Sequence, residues 1–276
     1  MVGCIGMTRP LALRGTVAVV TGGGSGIGRA AALSFAGRGA RVAVTDLSVE
    51  RAEAVAGEVE AFGSTAIGLA VDVRDEAQLA AARDECLARW GRVDVVMNNV
   101  GMLAVGPPES LPDEAWRASF DLNVGSIARS NRVFLPGLLA HGSGHIVNTA
   151  SASGLLAYGF DRLPYVATKH AIVGLSEALA LYLAPRGIGV TCLCPSGVIT
   201  NILEQITVYG DGEQAVTPRA PDHRIVDPEV VGELTADAVE AGRFLVLTEP
   251  AVEDELRARA ADIEAYLAER IAEQVR

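Results

Sequence analysis

The chain has 276 residues, half of them apolar, with 30 glycines and a formal net charge of −11. That length and apolar content fit one large domain with a sizeable core, while the acidic balance argues against a nucleic-acid surface and gives anionic membranes no attraction. No run is long and apolar enough to span a bilayer, and Met1 to Arg14 lacks the apolar stretch of a signal peptide, so a cytoplasmic location is expected.

Residues 1–14 read as a loose arm, in which Met7 is an alternative start, and residues 15–276 as a single domain. Within it, Thr16–Val20 is a β-branched run that predicts a strand, followed by a glycine-rich turn and a helix from about Ile27 to Gly37. Strand Ala40–Thr45 and helix Val49–Phe62 come next. Then follow strand Ala66–Val71, helix Glu76–Trp90 and strand Val93–Met97. A long helical region runs from about Asp113 to Leu139, before a strand at His145–Asn148 and a helix near Tyr165–Leu183. Gly189–Cys194 and Phe244–Leu247 read as the last strands.

Short apolar strands alternating with helices imply parallel pairing and a sheet covered on both faces. The fold expected is therefore α/β: a Rossmann-type doubly wound parallel sheet of about seven strands. The segment 203–225 breaks the alternation, being mixed polar with Gly210, Gly212, Pro218 and Pro221. Loops of that length are usually functional or disordered, and it reads as a substrate lid. From Asp227 the tail reads as helix, short strand and charged terminal helix, with Asp227-Pro228-Glu229 a good helix start.

Thr21-Gly22-Gly23-Gly24-Ser25-Gly26-Ile27-Gly28 joins the first strand to the first helix. Glycines there allow positive φ and bring backbone amides close to a diphosphate, which a helix N-terminus favours electrostatically. Asp46 ends the second strand, where an acid accepts hydrogen bonds from both ribose hydroxyls of NAD and repels a 2′-phosphate. Helix capping is the plainer role for it, although Ser48 is the better cap. Arg51 is the one nearby cation that complicates the preference for NAD over NADP.

Lys169 is the only lysine among 23 lysine and arginine positions, and it follows Tyr165 by four residues. Residues at that spacing share a helix face. An ammonium is a compact charge suited to a tight site, unlike the guanidinium fork. Beside a phenol it favours the phenolate, so the pair suggests an active site. Of the four cysteines, Cys4, Cys86, Cys192 and Cys194, the last two share one strand face. Core packing is their plainer reading, with redox or metal chemistry the alternative. His141, His145, His170 and His223 have no metal-binding spacing, and no metal site is expected.

Together these motifs resemble the short-chain dehydrogenase/reductase family over about residues 14–200. The glycine turn matches the family's TGxxxGxG at Gly22, Gly26 and Gly28, with Ser25 and Ile27 inside the same turn. Asp72-Val73 stands where the family contacts adenine. Asn98-Asn99-Val100-Gly101 is similar to its NNAG motif, with valine replacing alanine. Asn123 matches the asparagine of its long central helix, and Tyr165-Val166-Ala167-Thr168-Lys169 its YxxxK motif. The family's serine falls on Ser151, with Ser153 as competitor. Pro195-Ser196-Gly197 departs from the family's Pro-Gly step, while Val198 and Thr200 keep the positions that contact the nicotinamide carboxamide.

The resemblance implies reversible hydride transfer between NAD and a secondary alcohol or ketone. Tyr165 would be the general base in oxidation and the acid in reduction. Lys169 would lower its pKa and bind the nicotinamide ribose, Ser151 would polarise the substrate oxygen, and Asn123 would position a relay water. It also implies a homodimer or homotetramer acting on a small molecule. Met102, Leu103, Leu155, Leu156, Tyr158, Phe160 and Ile202 are candidate pocket residues, core packing being the equal alternative for each. The tail weakly resembles bacterial family members that oxidise bulky aryl or alicyclic alcohols. Two readings of other kinds remain: a catalytically silent dinucleotide sensor, and a lyase or epimerase that keeps NAD tightly bound.

Overall fold

In the computed structural model, residues 9–199, 206–210 and 224–274 are described. β1 (Val17–Thr21) is five consecutive buried residues. Ala18 and Val20 point to one core and Val17 and Val19 to the other, the two-sided burial that an interior parallel strand requires. α1 (Gly26–Gly37) leads to β2 (Arg41–Asp46), α2 (Val49–Ala61), β3 (Ala66–Ala70), α3 (Glu76–Trp90) and β4 (Val95–Asn98). After β4 come a short strand β5 (Leu103–Val105), α4 (Asp113–Phe120) and α5 (Ser126–His141). Then follow β6 (Gly144–Thr149), α6 (Leu163–Leu183), β7 (Ile188–Cys194), β8 (Ile206–Val208), α7 (Pro228–Ala241), β9 (Leu245–Leu247), α8 (Ala251–Ala261) and α9 (Ile263–Gln274).

The main sheet has seven strands in the order β3-β2-β1-β4-β6-β7-β9, all parallel. One core lies beneath α1, α2 and α7, the other beneath α3, α5 and the end of α6. The chain leaves β1 in one direction and returns to its other side at β4. Such a reversal opens a crevice at the carboxyl ends of the strands, where ligands bind in doubly wound sheets. Thr21, Asp46, Asn98 and Thr149 are the last residues of β1, β2, β4 and β6, so the motifs meet at one end of the sheet.

The expected fold is present, with most element ends within two residues of the sequence reading. Four local details go beyond it. The helix expected over Asp113–Leu139 is two helices joined by a π-turn, Asp121–Gly125. The single terminal helix is also two, divided at Asp262, whose carboxylate accepts from the Ala265 amide at 3.0 Å. The inner end of the expected loose arm is packed: Leu13 is fully buried, and the Leu11 amide donates to Val239 O at 3.2 Å. Of the expected lid, Ile206–Val208 forms a small parallel sheet with Leu103–Val105, and most of its remainder lies outside the described residues.

Candidate active site

Two positive-φ glycines shape the turn after β1, Gly22 at +61° and Gly26 at +50°. At Gly28 a Cβ would stand 2.2 Å from Gly22 O, so only glycine lets α1 start against the turn. Ser25 places no side-chain cap on the first amides of α1, which leaves that end of the helix able to meet an anion. Thr21 staples the turn to β4: its hydroxyl donates to Met97 O at 3.1 Å and accepts from the Asn99 amide at 3.0 Å. Asn99 is in turn held through Nδ2 to Gly22 O at 3.4 Å, and through Oδ1, which accepts from Thr149 Oγ1 at 3.2 Å.

Asp46 is 6% exposed at the edge of this turn. Its Oδ2 accepts from the Gly24 amide at 3.2 Å, and its Oδ1 from the Ser48 amide at 3.0 Å and from Arg51 Nη2 at 2.8 Å. Ser48, not Asp46, caps α2 through the Arg51 amide. A buried carboxylate aimed across the glycine turn fits an adenosine ribose. Asp72 is held by Arg74, with Nη2 at 2.6 Å from Oδ2, and that hydrogen bond keeps its carboxyl below the usual carboxylate range. Val73 is buried beside it.

Ser151, Tyr165 and Lys169 converge from the end of β6 and the first two turns of α6. Backbone bonds on both sides pin Ser151 to β7, from the Ala150 amide to Leu193 O at 2.7 Å and from the Ala152 amide to Pro195 O at 2.8 Å. Its hydroxyl is hydrogen-bonded to Tyr165 and accepts from the Ser153 amide at 3.1 Å. Ser153 therefore supports Ser151 through its backbone. Lys169, 3% exposed, donates to Thr149 O at 2.9 Å, and its Nζ lies 5.5 Å from the centre of the Tyr165 ring.

Fully buried Asn123 sits in the π-turn. Both its amide protons are used, on Met102 O at 3.2 Å and Thr168 Oγ1 at 2.9 Å, while Oδ1 accepts from the Met102 amide at 2.8 Å. The side chain thus ties the π-turn to the segment after β4 and to α6. Gly101 separates it from Lys169, since a Cβ there would meet Asn123 Oδ1 and Lys169 Nζ, each at 3.4 Å.

The electrostatics also depart from expectation. Burial raises the Tyr165 phenol above its ordinary value, opposed by the Ser151 hydrogen bond and the charge of Arg162. Burial likewise pushes Lys169 down to about 8. The ammonium lies over the ring, 5.5 Å from its centre, and burial is the largest influence on the phenol.

Other candidates fall in three groups. Val198 is placed by a bridge to Val226 behind the crevice, whereas Thr200 and Ile202 lie outside the described residues. Ser196 adopts no positive φ and its amide donates to Thr248 Oγ1 at 2.9 Å, so the departure from Pro-Gly leaves an ordinary backbone path. Among the apolar candidates, Leu156 is core, packed with Val252 and Tyr266, and Leu103 is buried, while Phe160 is 43% exposed. No cluster of metal-ligating side chains occurs among the described residues. The sequence reading passed over Thr149, Thr168, Thr21 and Arg162. Thr168 lies inside the YxxxK motif, which was its one available sign; Thr149 meets Lys169 through its carbonyl, which no residue type reveals.

Comparison with known proteins agrees with this geometry. The family described as short chain dehydrogenase matches residues 16–208. Cyclohexanol dehydrogenase of Acinetobacter sp. is 34% identical over 222 residues, covering 80% of this chain and 86% of the relative. D-threitol dehydrogenase of Mycolicibacterium smegmatis is 36% identical over 190 residues, covering 69% of this chain and 73% of the relative. Among solved structures, a short chain dehydrogenase/reductase from Burkholderia phymatum in complex with NAD superposes with a TM-score of 0.84. It is 33% identical, covering 92% of this chain and 96% of that one. A matched family pattern over more than half of the sequence, on this fold and with these motifs at one end of the sheet, makes the chain a member of the short chain dehydrogenase family.

Proposed function

We propose that the protein is an NAD-dependent alcohol dehydrogenase or ketone reductase acting on a bulky apolar secondary alcohol or the corresponding ketone. The observation that carries this reading is the convergence of Ser151, Tyr165 and Lys169 at the crevice that the glycine turn and Asp46 also line. The relatives named for cyclohexanol and threitol and the NAD-bound neighbour point the same way.

Gly22, Ser25, Gly26, Ile27 and Gly28 would hold the diphosphate of NAD, Asp46 the adenosine ribose, and Asp72 and Val73 the adenine. Asn99, Val198 and Thr200 would hold the nicotinamide half, with Lys169 on its ribose. The bound dinucleotide supplies the hydride acceptor for oxidation and the donor for reduction. Oxidation also requires removal of the hydroxyl proton, the task of a general base within hydrogen-bond reach. Tyr165 takes that proton, and Ser151 hydrogen-bonds the same substrate oxygen. Burial favours the protonated phenol, the form that donates in ketone reduction. Phenolate formation needs additional positive charge near the hydroxyl, which the oxidised nicotinamide provides. Partly buried Leu155 and exposed Phe160 would give the substrate end an apolar wall.

The test is turnover by the purified protein with NAD or NADP against cyclic and aryl secondary alcohols, following nicotinamide reduction. NAD-linked oxidation of part of the panel is expected. NAD binding without oxidation of any alcohol or reduction of any ketone would overturn the proposal.

A further inference from the structure

We propose that Cys192 and Cys194 form a chelating site for a thiophilic centre that accepts two thiolates side by side, such as trivalent arsenic, and that filling it stops turnover. The site itself is independent of the reaction assigned above; its effect on turnover rests on that reading.

The two sulfurs lie 3.7 Å apart on one face of β7, and the residues are 0% and 1% exposed. Same-face neighbours on a strand are separated by about 6.6 Å at Cα, at the upper limit for a disulfide, whose usual span is ~5.5–6 Å. Direct oxidation would therefore pucker β7, which is paired on both sides with β6 and β9. A bridging atom lengthens the link and lets two sulfurs remain near their present separation. Soft thiolates select soft centres of this kind.

The surroundings favour the first deprotonation. The hydrogen bond from Cys194 is the largest influence on Cys192 and lowers its thiol, helped by Ser176 and the charge of Lys169; Cys194 is raised. Ser176 is itself held, donating to Ile172 O at 2.7 Å and accepting from Asn148 Nδ2 at 3.0 Å. The Cys194 thiol proton and the Lys169 ammonium thus share one negative charge. With arsenous acid the step balances without redox change: two As–S bonds form, two As–O bonds break, and the two thiol protons leave with two hydroxides as water. Arsenic stays trivalent and keeps one hydroxide.

Cys194 couples the site to the catalytic groups. It precedes Pro195, whose carbonyl receives the Ala152 amide at 2.8 Å and the Ser151 hydroxyl at 3.4 Å. An arsenic atom there displaces the Cys194 side chain from the segment that fixes Ser151. Its position at the end of β7, beside the crevice, gives a small neutral acid a short route through local opening.

The experiment incubates the full chain with sodium arsenite, removes excess reagent, and reads bound arsenic by elemental analysis alongside alcohol turnover. One arsenic per chain is expected, with turnover lost in proportion and restored by a competing small dithiol. Cys192→Ala should bind none and keep its turnover in arsenite, while Cys86→Ala should behave as the parent. Cys194→Ser serves for the arsenic measurement if Cys192→Ala does not fold. No arsenic in the parent, arsenic retained by Cys192→Ala, or full turnover with the site filled would each overturn the proposal. Arsenic content is independent of activity, so a chain that binds one arsenic and oxidises no alcohol would refute the reaction assignment and uphold the site.

Discussion

Lys169 occupies a site too small for any other cation in the chain's repertoire. It is 3% exposed, donates to one carbonyl and lies over the Tyr165 ring, and Gly101 is glycine where a Cβ would touch it. Lys169→Arg keeps the charge but adds a planar fork with no room to seat it. We expect turnover to fall by at least about a hundredfold, roughly 2.7 kcal/mol in the transition state, while the far-ultraviolet spectrum is unchanged; near-normal rates would contradict this packing. Asp46 makes a second residue-level prediction. Its carboxylate holds Arg51, so Asp46→Ser releases a guanidinium beside the adenosine ribose and removes the charge that repels a 2′-phosphate. The ratio of NADP to NAD efficiency should rise, and an unchanged ratio would remove Asp46 from the cofactor site. Both residues were readable in the sequence because their types are chemically distinctive. The sign of the Tyr165 shift was not, because it depends on burial, which spacing does not encode.

At the scale of elements, the glycine turn is governed by close approach. Gly28 lies in the first turn of α1 against Gly22 O, and a methyl at 2.2 Å cannot be relieved by moving a flexible side chain. Gly28→Ala should therefore weaken dinucleotide binding by at least about tenfold, a loss of roughly 1.4 kcal/mol, as read by calorimetric titration. Binding equal to the parent would show that the turn is not the cofactor cradle. The alternation of strands and helices was visible because a buried parallel strand is a short continuous apolar run, as in Val17–Thr21. The π-turn at Asp121–Gly125 was hidden, since one extra residue in a helical turn barely disturbs the apolar period. β5 and β8, three residues each, were too short to stand out. The break at Asp262 had a sign in the sequence, an aspartate placed to cap Ile263–Gln274, and it was passed over.

At the scale of the whole molecule, the sheet is covered by helices on both faces, and its interior carries an ionisable imidazole far from the crevice. His145 is fully buried in β6; its Nε2 lies 2.8 Å from Thr191 Oγ1, whose own proton goes to Arg243 O. Nε2 must then carry the ring's single proton, and burial pushes the pKa down to about 3. The unfolded chain binds the second proton near pH 6.5 and the folded chain does not. Stability from this group is thus complete above pH 6.5 and lost as pH falls towards 3, on the order of 5 kcal/mol over the full window. His145→Leu should flatten the slope of unfolding free energy between pH 6.5 and 4.5 relative to the parent; parallel slopes would contradict the buried neutral ring. The central claim, that this architecture exchanges a hydride at a carbon and a proton at the oxygen it bears, is tested most directly by deuterium transfer. An alcohol deuterated at its carbinol carbon, incubated with NAD, should place deuterium on the nicotinamide with the parent protein and almost none with Tyr165→Phe, which should still bind NAD. Unlabelled NAD with every alcohol tried, or equal labelling by the variant, would contradict it.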